Sequence, residues 1–508
     1  MNSILSGIAA GGAMLLDPSI LGLILAGTVF GIVIGALPGL TSTMGVALLV
    51  PVTFGMPPAM GLALLGAIYC SSTYSGAISA ILINIPGTPA NCCTLFDGYP
   101  MTAKGESSRA IALATCASAV GGFLSIFALL FFAPPLAEFA LEFGAQEYFL
   151  LTLFGVSVIA SLSERSITKG LLSGVAGLFL SIVGMHPLTG EMRFTAGVAE
   201  LYNGMPLVIA LIGLYSIPEV ITSLGGSQDS VKQFRTVGKG VWKHMMEVFG
   251  HKMLALRATV IGVVVGIIPG AGSSIASFIA YDDAKRISKK SGEFGKGSPE
   301  GVIASETANN AVVGGSLVPA LTLGIPGNAV SAVLLGGLMI HGLKPGPQLF
   351  IDNAAVVYSF ILSLFVSNLV FVPVGLFISR YCVKFIETPA TILGPMVIGL
   401  AVMGSYALNM SMTEVFIMLF IGVLGFAMKL CEVPREPMVL GLVLGSMAEG
   451  ELARALALVH GSIPDLILGM LKSPLSLAII LLTAYSLFHG LRKQHKAARA
   501  QGQDAPFV

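Results

Sequence analysis

Glu306, Asn309 and Asn310 sit at helical spacing in Ser305-Glu306-Thr307-Ala308-Asn309-Asn310. Positions i, i+3 and i+4 share one face of a helix. A carboxyl beside two amides can carry a proton, ligate Na⁺ or hydrogen-bond a polar solute. An ionisable group inside a membrane is functional by default. Glu306 is therefore expected to hold a coupling cation, as H⁺ or as Na⁺, or else to lie at the membrane interface near Ser298-Pro299-Glu300. Asp97, Asp282 and Asp283 flank the same segments and are expected at the interface.

A second set of polar residues gathers at proline-glycine pairs. One is Asn84-Ile85-Pro86-Gly87-Thr88-Pro89-Ala90-Asn91, and its twin is Gly324-Ile325-Pro326-Gly327-Asn328-Ala329. Two further pairs are Pro38-Gly39, followed by Thr41-Ser42-Thr43, and Pro269-Gly270, followed by Ser273-Ser274. Proline removes a backbone donor and glycine permits unusual conformations, so each pair breaks a helix. In hydrocarbon such a break must be buried in protein or line a wet cavity. Helix N-termini exposed there favour anions, and unwound carbonyls favour cations. Paired breaks in corresponding places of two halves point to a transporter binding site. The predicted substrate-binding residues are Gly39, Thr41, Ser42, Thr43, Asn84, Pro86, Gly87, Thr88, Gly270, Ser273, Ser274, Asn309, Asn310, Pro326, Gly327 and Asn328. The candidates for the coupling ion are Glu306, Asn310, Thr43 and Ser274.

The elements that must position these residues are membrane helices. Of 508 residues, 55% are hydrophobic and 10% charged, against roughly 25% charged in soluble domains. Many apolar runs reach the roughly 20 residues of a helical span, and none alternates as barrel strands do. The fold class is an all-α polytopic membrane protein of about 11–12 transmembrane segments. No Lys or Arg precedes Lys104, so no basic leader region is expected. Basic residues crowd between Lys232 and Lys296 and return at Arg492, Lys493, Lys496 and Arg499. By the positive-inside rule these face the cytoplasm, and the N-terminus faces out. Topology explains these charges, and no nucleic-acid partner is expected.

The second half restarts the plan of the first. Gly262-Val-Val-Val-Gly266-Ile-Ile-Pro269-Gly270 reads like Gly31-Ile-Val-Ile-Gly35-Ala-Leu-Pro38-Gly39. Pro269 lies 231 positions after Pro38, and Pro326 lies 240 after Pro86. Motifs recurring in one order at nearly one offset mark an internal repeat. An outside N-terminus and an inside central loop make the two repeats inverted. The expected divisions are a first repeat at 1–224, a cytoplasmic basic linker at 225–251, a second repeat at 252–450, and a terminal helix with a basic tail at 451–508. A polar loop is expected over Asp97–Arg109, another over His186–Ala199, and an interfacial helix over Val241–Phe249.

No enzyme is indicated. The sequence has no GxSxG elbow and no HExxH array, and the six cysteines show no CxxC spacing. A channel is the alternative, since half-helices occur there too.

The sequence resembles the large membrane subunit of the tripartite tricarboxylate transporters, the TctA family. The resemblance rests on Ile34–Leu40, Leu82–Ala90, Asp97-Gly98-Tyr99-Pro100-Met101, Glu306–Ala311, Leu323–Gly327 and His341–Pro347. Ser305-Glu306-Thr307 departs from the usual Pro-Glu-Ala but keeps the Glu and both Asn. The resemblance implies secondary uptake of tricarboxylates such as citrate, or of related small carboxylates, across a bacterial inner membrane. It implies a small TctB-like membrane subunit and a TctC-like periplasmic solute-binding protein as partners. It also implies an elevator motion and Na⁺ or H⁺ as coupling ion, with no other cofactor.

Overall fold

The computed structural model describes residues 2–37, 39–162, 167–186, 189–225, 241–381 and 390–500. Pro38 and the basic stretch 226–240 lie outside the described residues. The described chain is almost wholly helical. In the first half run α1 (Asn2–Leu15), α2 (Pro18–Ala36), α3 (Ser42–Leu49), α4 (Pro58–Ile83), α5 (Cys92–Ala103), α6 (Ser107–Ala140), α7 (Ala145–Leu162), α8 (Ile167–Ser181) and α9 (Leu207–Gly225). In the second run α10 (Val241–Gly250), α11 (Lys252–Ile267), α12 (Gly272–Ile287), α13 (Pro299–Leu323), α14 (Ala329–Ile340), α15 (Leu349–Asp352), α16 (Ala354–Ser379), α17 (Ala390–Asn409), α18 (Met412–Leu430), α19 (Glu436–Leu458), α20 (Ile463–Lys472) and α21 (Pro474–Ala500). A two-stranded antiparallel hairpin, Gly184–Met185 with Met192–Arg193, interrupts the loop expected over His186–Ala199.

The chain forms two compact units, each drawn from both halves. The first comprises Met1–Ala137 and Tyr215–Ser411, the second Glu138–Leu214 and Met412–Val508. In the second unit α19 packs on α7 and α8. A Cβ added at Gly177 would strike the Met438 carbonyl, and one at Gly441 would strike Gly174. Small residues are what let those helices meet at backbone distance.

In the first unit α4 and α13 are the buried centre. From Ala59 onward nearly every residue of α4 is buried, and so is every residue from Gly301 to Thr322 of α13. Helix α2 lies along α4, and α11 lies along α13. The two pairs touch at matching places. A Cβ at Gly31 would strike Ile68 and Ser71; one at Gly262 would strike Ala308 and Ala311. A Cβ at Gly35 would strike Ser72 and Ser75; one at Gly266 would meet Val312, Gly315 and Ser316. The glycines differ by 231 positions, and Ile68 and Ala308 by 240. These are the two offsets of the sequence motifs.

Among the described residues six helices are long and apolar enough to cross a membrane, or up to eight if each bent pair counts as one, against the expected total of about 11–12 segments. Stretches such as Ser42–Thr53 and Ala329–Ile340 are apolar but too short, because proline and glycine cut them. The loop expected over Asp97–Arg109 is helical through Ala103, and a new helix starts at Ser107. Its polar residues are spent on tertiary contacts. Val241–Gly250 is helical as expected, and it meets α11 at 78°.

Candidate functional site

The Ile-Pro-Gly motifs end the two central helices in the same way. Helix α4 stops at Ile83, with Asn84 at φ 59° as its C-cap, and α13 stops at Leu323, with Gly324 at φ 72°. Left-handed backbone suits glycine and, among side chains, asparagine. That requirement accounts for Asn84, whose side chain is exposed. The chain then folds back on its own repeat. Gly87 N–H donates to the Gly76 carbonyl at 3.2 Å, and Gly270 N–H donates to the Gly327 carbonyl at 2.8 Å. A Cβ at Gly87 would strike the Gly35 carbonyl, and one at Gly327 would strike the Gly266 carbonyl. Pro86 is half-buried, whereas Pro326 is buried.

A short helix follows each break. Thr41 caps α3 by accepting the Met44 N–H at 3.2 Å. Gly39 has φ 88° and is exposed, while Ser42 and Thr43 are buried in the first turn of α3. Gly270 has φ 77°, and Ser273 and Ser274 are half-buried in the first turn of α12. Asn328 caps α14 in a reciprocal box with Ser331, its Oδ1 accepting Ser331 N–H at 2.8 Å. At the equivalent place of the first repeat, Thr88 donates to Asn91 Oδ1 at 2.5 Å. Each short helix packs on a segment of the other repeat: α3 on α14, and α12 on 89–103.

Each break is also tied to the central helix of the opposite repeat. Asn328 Nδ2 donates to Tyr69 Oη of α4 at 2.6 Å, and Tyr69 lies 3.0 Å from the Ser316 hydroxyl. Asn91 Nδ2 donates to Glu306 Oε1 of α13 at 3.0 Å. The first tie is neutral and the second carries a carboxyl. The Glu306 carboxyl is fully buried. It accepts from the Thr94 hydroxyl of α5 and, at Oε2, from the Ser118 hydroxyl of α6 at 2.8 Å. Asn309 Nδ2 donates to the Thr73 carbonyl at 3.1 Å, and Asn310 Nδ2 donates to the Ser118 carbonyl at 2.9 Å. The amide oxygens of both asparagines are buried without a hydrogen-bond partner.

The helical face of Glu306, Asn309 and Asn310 is thus fully buried within the protein. Asn91, Thr94, Ser118 and Tyr69 complete the two ties. Thr94 lies three residues beyond Asn91, a spacing that could have flagged it. Ser118 and Tyr69 sit in apolar runs and carry no local signal.

Asp97, expected at the membrane interface, is fully buried within the protein. Its Oδ1 accepts N–H groups of Gly295, Gly297 and Ser298 at 2.9, 2.8 and 2.7 Å, and its Oδ2 accepts the Tyr281 hydroxyl at 2.8 Å. A carboxylate can be buried when donors surround it. Asp282 and Asp283 do stay near the surface, paired with Arg286 and Arg257.

Among the described residues no lysine or arginine is buried, and no group of three or more His, Cys, Asp or Glu could hold a metal ion. The polar groups at the breaks are hydroxyls, amides and backbone groups.

A family model described as the tripartite tricarboxylate transporter TctA family matches residues 21–440. The chain belongs to this family. It is therefore the membrane component of a tripartite transport system, a multi-pass protein of a transporter family rather than an enzyme family. Two Agrobacterium vitis proteins are similar to it. One, an uncharacterised 52.8 kDa protein in the TAR-I ttuC' 3' region, is 35% identical over 461 residues, covering 91% of this chain and 92% of that one. The other, an uncharacterised protein in the TAR-II ttuC' 3' region, is 35% identical over 200 residues, covering 39% of this chain and 83% of that one. No solved structure matches the chain. Both motifs that bear the Ile-Pro-Gly breaks, and Glu306 with its two asparagines, fall inside the family match.

Proposed function

We propose that this protein takes up tricarboxylates or related small carboxylates across a bacterial inner membrane, coupled to Na⁺ or H⁺. The observation that carries the reading is the pair of matched breaks, each followed by a short helix whose first turn lies at the break. Helix N-termini and hydroxyls hold carboxylates without a buried cation. That agrees with the absence of buried lysine and arginine among the described residues. The substrate contacts are assigned to Gly39, Thr41–Thr43, Gly87, Thr88, Gly270, Ser273, Ser274 and the Pro326-Gly327-Asn328 turn, with the coupling ion at Glu306, Asn310, Thr43 or Ser274.

In this reading a small membrane subunit and a periplasmic solute-binding protein complete the system, and the binding protein delivers the substrate. The N-terminus is periplasmic and the C-terminus cytoplasmic. The two repeats are inverted, and the unit holding the breaks moves as an elevator.

The test is uptake of labelled citrate and other small carboxylates into proteoliposomes. The protein would be reconstituted with its small subunit and binding protein, under a Na⁺ gradient, a proton gradient or neither. Saturable, gradient-dependent uptake that requires the binding protein supports the reading. Uptake that does not saturate and ignores both gradients would make the protein a channel.

A further inference from the structure

Glu306 is ringed by donors. Asn91 Nδ2 and the hydroxyls of Thr94 and Ser118 all aim hydrogens at its two oxygens. A metal ion at that carboxyl would face the Asn91 amide hydrogens, which cannot turn away as the two hydroxyls can. Na⁺ instead asks for a shell of oxygen lone pairs, as hard cations do. A proton makes no such demand, because a hydroxyl that donates to a carboxylate can rotate and accept from a carboxylic acid.

The hydrogen-bond count points the same way. One turn along the helix from the carboxyl, the Asn309 amide oxygen is buried and has no donor. The Asn310 oxygen, on the same helical face, has none either. Two buried acceptors thus stand without a donor, and a proton on the carboxyl adds one donor to the cluster. No ion pair to Glu306 occurs among the described residues to offset its charge. A buried carboxylate without a counter-ion is costly, whereas its acid form is not.

The titratable neighbours do not compete for that role. Helix α5 presents Cys93 and Asp97, and Asp97 is spent on three N–H groups and the Tyr281 hydroxyl of α12. Helix α4 presents Cys70, bonded by Asn368, and α6 presents Cys116. Of the two cations of α11, Arg257 is paired with Asp283 and Lys252 stands at the first residue of the helix. Helices α14 and α15 meet α13 near its far end, at Leu321, about 22 Å from Glu306.

We propose that Glu306 is the proton-coupling residue of this transporter and acts on the first break through Asn91. The inference rests on the transport reading and decides between its two coupling ions. With Glu306 protonated, the cluster is neutral and the carboxyl accepts only weakly from Asn91, so the first break is held loosely. Losing the proton to water makes the carboxylate a stronger acceptor and draws in Asn91, which also anchors Thr88. The second break, tied to Tyr69, does not respond to the proton.

The experiment uses the reconstituted full system with a trapped pH dye. Carboxylate entry is expected to acidify the lumen, and an inward proton gradient is expected to drive accumulation. Glu306→Gln should lose accumulation at least tenfold, together with the pH dependence of uptake. Accumulation driven by Na⁺ with no lumen acidification would overturn the proposal, and so would a Glu306→Gln variant that still concentrates substrate.

A second measurement stands apart from transport and from the folding of the variant. The infrared carbonyl band of a buried protonated carboxyl is followed in the purified wild-type protein across pH, with and without Na⁺. An acid-form band unmoved by Na⁺, and missing in Glu306→Gln or lowered in Glu306→Asp, supports the proposal. A wild-type protein without such a band at any pH, or with one abolished by Na⁺, refutes it. If no carboxylate is carried at all, the substrate assignment fails while this band still decides the role of Glu306.

Discussion

Asn91 and Glu306 are 215 positions apart and joined by a 3.0 Å hydrogen bond. The bond links the turn after one break to the buried helix that precedes the other. Each central helix therefore has two jobs. It ends in its own break and supports the break of the opposite repeat.

Asn91→Ala should remove this tie. The variant strands the Thr88 hydroxyl and takes one donor from Glu306. A buried group left unpaired costs about 1–3 kcal/mol. Thermal unfolding in detergent should show a clear fall in Tm, and binding or uptake should fall with it. An unchanged Tm would mean that the break does not depend on the bond.

Gly87→Ala and Gly327→Ala should fail alike. In each, the new methyl meets the carbonyl of the glycine one helix away, Gly35 or Gly266. Backbone cannot step aside as a flexible side chain can, and overpacking of this kind costs about 1–3 kcal/mol. Gly22→Ala is the control, because a Cβ there meets nothing within 4 Å. Uptake should drop sharply in the first two and persist in the third. Unequal losses at Gly87 and Gly327 would argue that the two breaks are not equivalent in function.

Asp97→Asn should loosen the segment that leads into α13. The carboxylate oxygen that accepts three backbone N–H groups would become part of an amide with hydrogens of its own. Hydrogen bonds to a charged acceptor contribute about 1.5–3 kcal/mol each. The expected result is a large fall in Tm and faster hydrogen exchange at residues 291–298. Protection equal to wild type at that segment would remove Asp97 from the account.

Helix α10 should come loose in acid. Arg109 of α6 donates to Glu247 through both Nε and Nη2, and it holds that carboxyl below its usual range. A depressed carboxyl stabilises the fold above its unfolded value of about 4.3, and that contribution is lost as the pH falls through the lower folded value. The pair is partly exposed, so its contribution is at most about 1 kcal/mol and weakens with salt. Hydrogen exchange over Val241–Gly250 should be flat from pH 7 down to about pH 5, after correction for intrinsic rates, and then rise. Exchange that is independent of both pH and salt would show that α10 is held by its apolar face alone.

The positions of the breaks were legible in the sequence, because proline and glycine act on the backbone at the place where they stand. Their pairing was legible too, since two offsets recur, and the same two offsets reappear in the contacts of Gly31, Gly35, Gly262 and Gly266. Helical periodicity put Glu306, Asn309 and Asn310 on one face. None of these local signals says what that face meets. Thr94 and Ser118 come from helices about 190–210 positions away, and a serine inside an apolar run reads the same whether it faces lipid or a carboxyl. Asp97 shows the same limit. Its charge says that it must be solvated, and only the fold shows that three N–H groups from a distant turn supply that solvation. Local chemistry determined where the chain breaks and which residues are polar. Only the packing of distant helices decided which of those polar groups are buried and which are paired, because burial and partners are properties of contacts that no short stretch of sequence contains.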